Sequence, residues 1–185
     1  MATYSVEPTR ENLHGRFSRN WEPILTIDPG DTVRFRTLDA GWGLFEQDDP
    51  FAEKPALFEP RDKTLDAGHA MCGPIAIRGA EPGMTLAVTI RQLRTGGWGW
   101  SGAGDYDSPW NRKLGLVGKP HWRTGWVIAP EAGTARNKHD QVVQIRPFLG
   151  LLGLPPNEPG HHPSFPPRSC GGNIDCKELI AGTTR

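Results

Sequence analysis

Pro23-Ile-Leu-Thr-Ile27, Asp28-Pro-Gly-Asp31 and Thr32-Val-Arg-Phe-Arg-Thr37 follow one another without a break. Val33 and Phe35 alternate with Arg34 and Arg36, the period of two that a half-buried strand requires, and proline-glycine supplies a turn between two apolar runs. The stretch therefore reads as a β-hairpin. The same grammar recurs at Pro74-Ile-Ala-Ile-Arg78 and Met84-Thr-Leu-Ala-Val-Thr-Ile-Arg91, separated by Gly79-Ala-Glu-Pro-Gly83. Leu86, Val88 and Ile90 share one face of the second run, which predicts another strand pair. Weaker β signals lie at 115–117, 125–129 and 141–146. Residues 38–73 read as one long irregular stretch, and the glycine and aromatic tract at 96–110 reads as a loop. The proline-rich passage 155–167 lacks the donors a sheet interior needs, and residues 171–179 suit a short helix or a strand equally.

Composition supports a mainly β fold. Gly and Pro number 23 and 18 in 185 residues, leaving little room for long helices. Seven Trp and seven Phe nevertheless supply enough apolar bulk to fold. Regularly spaced short strands and turns point to a two-sheet sandwich or jelly-roll-like architecture with long irregular loops, built as a single domain over residues 1–185. Lys plus Arg (21) balance Asp plus Glu (21) with no sustained basic run, so nucleic acid is not an expected partner. The longest apolar run, Phe148 to Leu154, is far shorter than the roughly 20 residues of a membrane helix. The first residues carry no secretory pattern, and three cysteines make no disulfide framework. A cytoplasmic location and no membrane partner are the expectations.

No P-loop, dinucleotide fingerprint, HExxH or GxSxG pattern is present. Gly68-His-Ala-Met-Cys-Gly-Pro74 places His69 and Cys72 three apart before a predicted strand. There an imidazole could bind a metal or act as a base, or simply be structural. Cys72 could be a catalytic thiol with His69 as its base, or an inert buried thiol. In Gly171-Gly-Asn-Ile-Asp175, an amide and a carboxylate two apart share one face if the chain is extended. They could bind a cation or a polar substrate, or close an Asx turn. His161 and His162 would point to opposite faces, which argues against a metal pair. Trp98, Trp100 and Trp110 could stack a sugar, though capping the core is the commoner use of such side chains.

Taken in order, Glu22 to Val33, Gly68 to Ile75, Gly79 to Leu86, Pro147 to Gly153 and Pro166 to Leu179 resemble the acetamidase/formamidase family. The resemblance implies a β-rich hydrolase that converts short linear amides such as formamide or acetamide to a carboxylic acid and ammonia. It marks His69 in the histidine-glycine-proline motif, and Asn173 and Asp175 in the GGNxD motif, as site residues. On that basis His69 and Asp175 are expected as catalytic residues and ligands of a divalent metal, zinc or calcium, with Asn173 and Gly172 binding substrate. The family pattern extends past Arg185, so the resemblance also implies a fold incomplete at its C-terminus. Homo-oligomerisation or a complementary C-terminal segment would complete it. The competing expectation is a catalytically silent β-sandwich module that binds a carbohydrate or small polar ligand.

Overall fold

The computed structural model describes residues 1–104 and 106–185. In chain order the strands are β1 (Thr3–Val6), β2 (Leu13–His14), β3 (Arg16–Phe17), β4 (Leu25–Ile27), β5 (Thr32–Phe35), β6 (Met71–Cys72) and β7 (Ile75–Ile77). They continue as β8 (Trp98–Ala103), β9 (Trp122–Ala129), β10 (Thr134–Asn137), β11 (Val142–Gln144), β12 (Leu151–Gly153), β13 (His162–Pro163) and β14 (Gly171–Asn173). One helical turn, α1 (Pro109–Lys113), starts at Ser108, whose Oγ accepts the Asn111 N–H. The fold is mainly β, as composition and patterning indicate. Its strands are distributed over one four-stranded sheet and several two-stranded ribbons. The chain packs as two compact units, residues 1–44, 57–93 and 147–185 in one, 45–56 and 94–146 in the other.

In the first unit the turn at 28–31 forms: the Asp31 N–H bonds the Asp28 carbonyl, and the Asp31 carboxylate accepts the N–H groups of Asp28 and Ala2. Those two backbone donors hold the Asp31 carboxyl below its usual range. The arms on either side are strands, but they do not pair with each other. β5 pairs in parallel with β1, setting Tyr4 against Val33 and Val6 against Phe35. β4 pairs in parallel with β7, setting Leu25 against Ile75 and Ile27 against Ile77. The expected hairpin is thus corrected to two splayed parallel pairs. Period-two alternation identifies a strand but not its partner.

The second expected pair is corrected in the same way. β7 belongs to β4, and residues 84–91 run beside the last residues of the chain. Val88 and Arg185 exchange both backbone hydrogen bonds at 2.7 and 3.0 Å, and Ile90 donates to Thr183 at 2.8 Å. The alternation within this run holds at one point that matters for packing, since Ile90 is buried. Val6, Leu13, Phe17, Leu38, Trp42 and Met71 are further buried apolar side chains of this unit. His14, also buried, stacks on Trp21 with ring centroids 5.4 Å apart, and burial keeps its imidazole below the ordinary pKa. His162 and Pro163 pair with Arg16 and Phe17 in a two-residue ribbon, so the proline-rich passage does enter a sheet. It does so in a two-stranded ribbon, where proline's missing donor is tolerated.

In the second unit the sheet order is β11-β10-β9-β8, all antiparallel. β8 corrects the expectation of a loop at 96–110: Trp98 faces Val127 and Trp100 faces Gly125 across the ladder. Gly99 and Gly102 dilute the alternation in the sequence, yet the backbone pairs throughout. Trp100 and Trp110 are 43% and 72% exposed and do not cap the core. Opposite Trp100, Gly125 is pressed against residues 50–51; a Cβ there would stand 1.9 Å from the Pro50 carbonyl oxygen. Among the described residues no helix is long and apolar enough to cross a membrane.

Candidate functional site

His69 sits in the irregular segment just before β6, and its backbone is held from two sides. The Trp42 indole N–H donates to the Gly68 carbonyl at 2.9 Å, and the Ala70 N–H donates to the Ala40 carbonyl at 3.0 Å. Trp42 is buried and occupies the left-handed region, with φ of 70°. A non-glycine residue in that conformation costs roughly 1–3 kcal/mol unless its surroundings enforce it. Here its own N–H bonds Asp39, its carbonyl receives the Phe58 N–H, and the Arg61 guanidinium lies 5.0 Å from its ring centroid.

The imidazole itself meets a residue that the sequence gives no hint of. β13 delivers Ser164, which is fully buried, so that its Oγ lies 3.0 Å from the His69 backbone N and 2.9 Å from Nδ1. Gly68 makes room for this contact: its φ is +135°, and a Cβ would come within 2.6 Å of the Ser164 Oγ. Phe165 covers the imidazole at 4.5 Å between centroids. Burial lowers the His69 pKa below its ordinary value, while the negative charges of Asp175 and then Asp39 pull weakly the other way. The net effect favours the uncharged ring.

Asp175 follows β14, which pairs with β12 through Leu152 opposite Gly172 and Leu151 opposite Asn173. The strand ends at Asn173, and Asp175 has φ of 48°. The shared face expected for Asn173 and Asp175 presumes an extended chain, which stops one residue too early. Instead the N–H groups of Ile174 and Asp175 both donate to the Gly150 carbonyl, at 2.9 and 3.0 Å. The Asp175 Oδ1 lies within 2.8 Å of where a Cβ on Gly150 would stand. Gly172 is buried in the ribbon, whereas Asn173 is half-buried. Ser164 and Phe165 contact His69, and Asp175 and Asp39 act on it as negative charges. Among the described residues no hydrogen bond joins Asn173 or Gly172 to His69.

Among the described residues no three His, Cys, Asp or Glu side chains are grouped so as to hold a metal ion. A catalytic zinc site usually draws three protein ligands, and His69 and Asp175 supply two at most. These residues do not by themselves fit a metal centre.

Cys72 is a poor nucleophile. Burial, followed by the charge of Glu7, pushes its thiol up to about 11 from 9.0. Iodoacetamide should therefore label Cys72 in the folded chain on the order of a hundredfold more slowly than in urea at pH 8. Peptide mapping by mass spectrometry over a time course checks this; equal rates in both states would restore the thiol as a candidate.

Comparison with known proteins assigns the chain to a family. The model of the acetamidase/formamidase family matches residues 2–159, which include His69 and stop short of Ser164 and Asp175. A Schizosaccharomyces pombe protein that bears a formamidase name is 37% identical over 98 residues, covering 49% of this chain and 22% of that protein. The formamidase of Methylophilus methylotrophus is 30% identical over 93 residues, covering 49% of this chain and 21% of its own. The crystal structure of a recombinant predicted acetamidase/formamidase from Thermoanaerobacter tengcongensis superposes with a TM-score of 0.75 at 20% identity, over 100% of this chain and 56% of its own. At that identity the superposition speaks for the fold, and the chain spans about half the length of this solved relative. With the family model covering most of its residues, the chain belongs to the acetamidase/formamidase family.

Proposed function

We propose that this chain carries part or all of a site that hydrolyses short linear amides, releasing ammonia and a carboxylic acid. The observation that supports it most directly is His69: an imidazole anchored at backbone and ring by one buried hydroxyl, its burial favouring the uncharged form, with the negative charge of the GGNxD carboxylate acting on it. Amide hydrolysis adds water to the carbonyl carbon, places negative charge on the carbonyl oxygen, and expels the nitrogen after it gains a proton. His69 is suited to act at the oxygen or the nitrogen, and Asp175 to orient or activate water. In this reading Asn173 contacts the substrate amide, and Gly172 keeps the Asn173 backbone in place through its pairing with Leu152. Metal assistance by zinc or calcium would need ligands beyond His69 and Asp175, so no step here runs through a metal.

Ammonia release from formamide, acetamide and propionamide tests the reading, run with and without chelator and added zinc or calcium. Wild-type chain should turn over at least one amide, and His69→Ala should lose on the order of 10²–10³ of kcat, the usual cost of removing one group that stabilises developing charge. Asp175→Ala should fall in the same range. Full activity in both variants would overturn the assignment.

A further inference from the structure

We propose that Ser164 fixes His69 as the tautomer protonated on Nε2, so that the imidazole serves as a hydrogen-bond donor in amide hydrolysis and not as a base or a metal ligand. The chemistry of this inference rests on the function proposed above; the proton assignment does not. It follows from counting donors and acceptors around one atom. The Ser164 Oγ carries one proton and two lone pairs. One lone pair accepts the His69 backbone N–H at 3.0 Å. The hydroxyl proton must find an acceptor, because Ser164 is fully buried. Among the described residues, the acceptor within reach is His69 Nδ1 at 2.9 Å. If Nδ1 carried the proton instead, it would donate to Oγ and the buried hydroxyl proton would have nowhere to go.

Nδ1 is therefore the acceptor, and in a neutral ring the proton lies on Nε2. Among the described residues Nε2 makes no hydrogen bond, so this N–H is free to donate. Phe165 lies against the ring at 4.5 Å between centroids. A neutral imidazole in this state can donate to an amide carbonyl oxygen as negative charge builds on it. It cannot accept a proton from water at Nε2, nor can it ligate a metal there without losing that proton. Ser164 is thus a positioning residue: it acts through the imidazole and touches no reacting atom.

Three measurements on the full chain decide this. In ¹⁵N-histidine-labelled protein, with His69 identified by its absence from His69→Gln spectra, long-range ¹H–¹⁵N correlations should show an unprotonated Nδ1 and a protonated Nε2. Second, His69→Gln, whose side-chain amide can place an N–H near the Nε2 position, should retain at least about tenfold more kcat than His69→Ala, whereas a base or a metal ligand would not be rescued. Third, Ser164→Ala should yield a mixture of tautomers and a loss in kcat of about tenfold with KM little changed. A wild-type His69 protonated on Nδ1, or His69→Gln as inactive as His69→Ala, would overturn the inference even if Ser164→Ala fails to fold. Absence of ammonia release with Nε2–H in place would remove the amide-hydrolase reading and leave the tautomer standing; turnover with Nδ1–H would do the reverse.

Discussion

Asp66→Ala is expected to lower the stability of the chain by about 3–5 kcal/mol, the usual cost of stripping one partner from a buried ion pair. Asp66 is 1% exposed. Arg10 grips its carboxylate with both Nη atoms, at 2.7 and 3.0 Å, while the Asp62 N–H donates to the same carboxylate at 2.7 Å. The Arg10 guanidinium also donates to the carbonyls of Pro60 and Leu13. One ion pair therefore ties the segment before β2 to the turn at 60–66, and the Gly15 N–H adds a bond to the Leu65 carbonyl. Removing the carboxylate leaves the Asp62 N–H and a two-thirds buried guanidinium without their partner. Urea unfolding of Asp66→Ala, Arg10→Ala and the double variant measures this. The double variant should lose much less than the two single losses added together, because both remove one interaction. A midpoint for Asp66→Ala equal to that of the wild type would show the pair to be idle.

Gly125→Ala should be the most damaging single-methyl addition in the second unit. Its Cβ would overlap the Pro50 carbonyl oxygen at 1.9 Å and crowd the Phe51 Cα at 3.0 Å, both backbone positions that cannot rotate away. β9 is fixed at Gly125 by pairing on both sides of that residue with β8, and Arg123 donates to the Ala52 and Glu53 carbonyls. The segment 45–56 must lift off or the sheet must bend. Overpacking of this kind costs about 1–3 kcal/mol in a yielding core and more against backbone, which predicts a drop in Tm on the order of 10 °C. Glu-C protease provides a local readout, since cleavage at Glu46 and Glu53 should accelerate if the segment detaches. An unchanged Tm together with unchanged cleavage would contradict the contact.

Local features of this fold are legible in the sequence, and pairings are not. The turn at Asp28 to Asp31, the strands on either side of it and the buried face of Ile90 all follow from spacing within a few residues. That β4 and β5 turn away from each other to pair with β7 and β1 depends on partners remote in sequence, which spacing does not encode. β8 is missed because two glycines interrupt the tryptophan alternation, although backbone pairing needs no side chain. The site divides the same way. His69 and Asp175 stand in short motifs rich in glycine, where a resemblance to a family can be recognised. Ser164 lies between prolines and becomes meaningful only when β13 pairs with β3. Cys72 looks reactive beside His69 on paper, but burial suppresses its thiolate.

The contact between His69 and Ser164 spans 95 positions of the chain. Interactions of such high sequence separation give little reward until long loops have closed, and folds built on them acquire their structure slowly. During synthesis the imidazole emerges well before its hydroxyl partner, so it must first exist with its tautomer unassigned. Proton placement at this site is consequently one of the later events of folding, set only once β13 has docked. Monitoring His69 by NMR during refolding would therefore report when the remote halves of the first unit have come together.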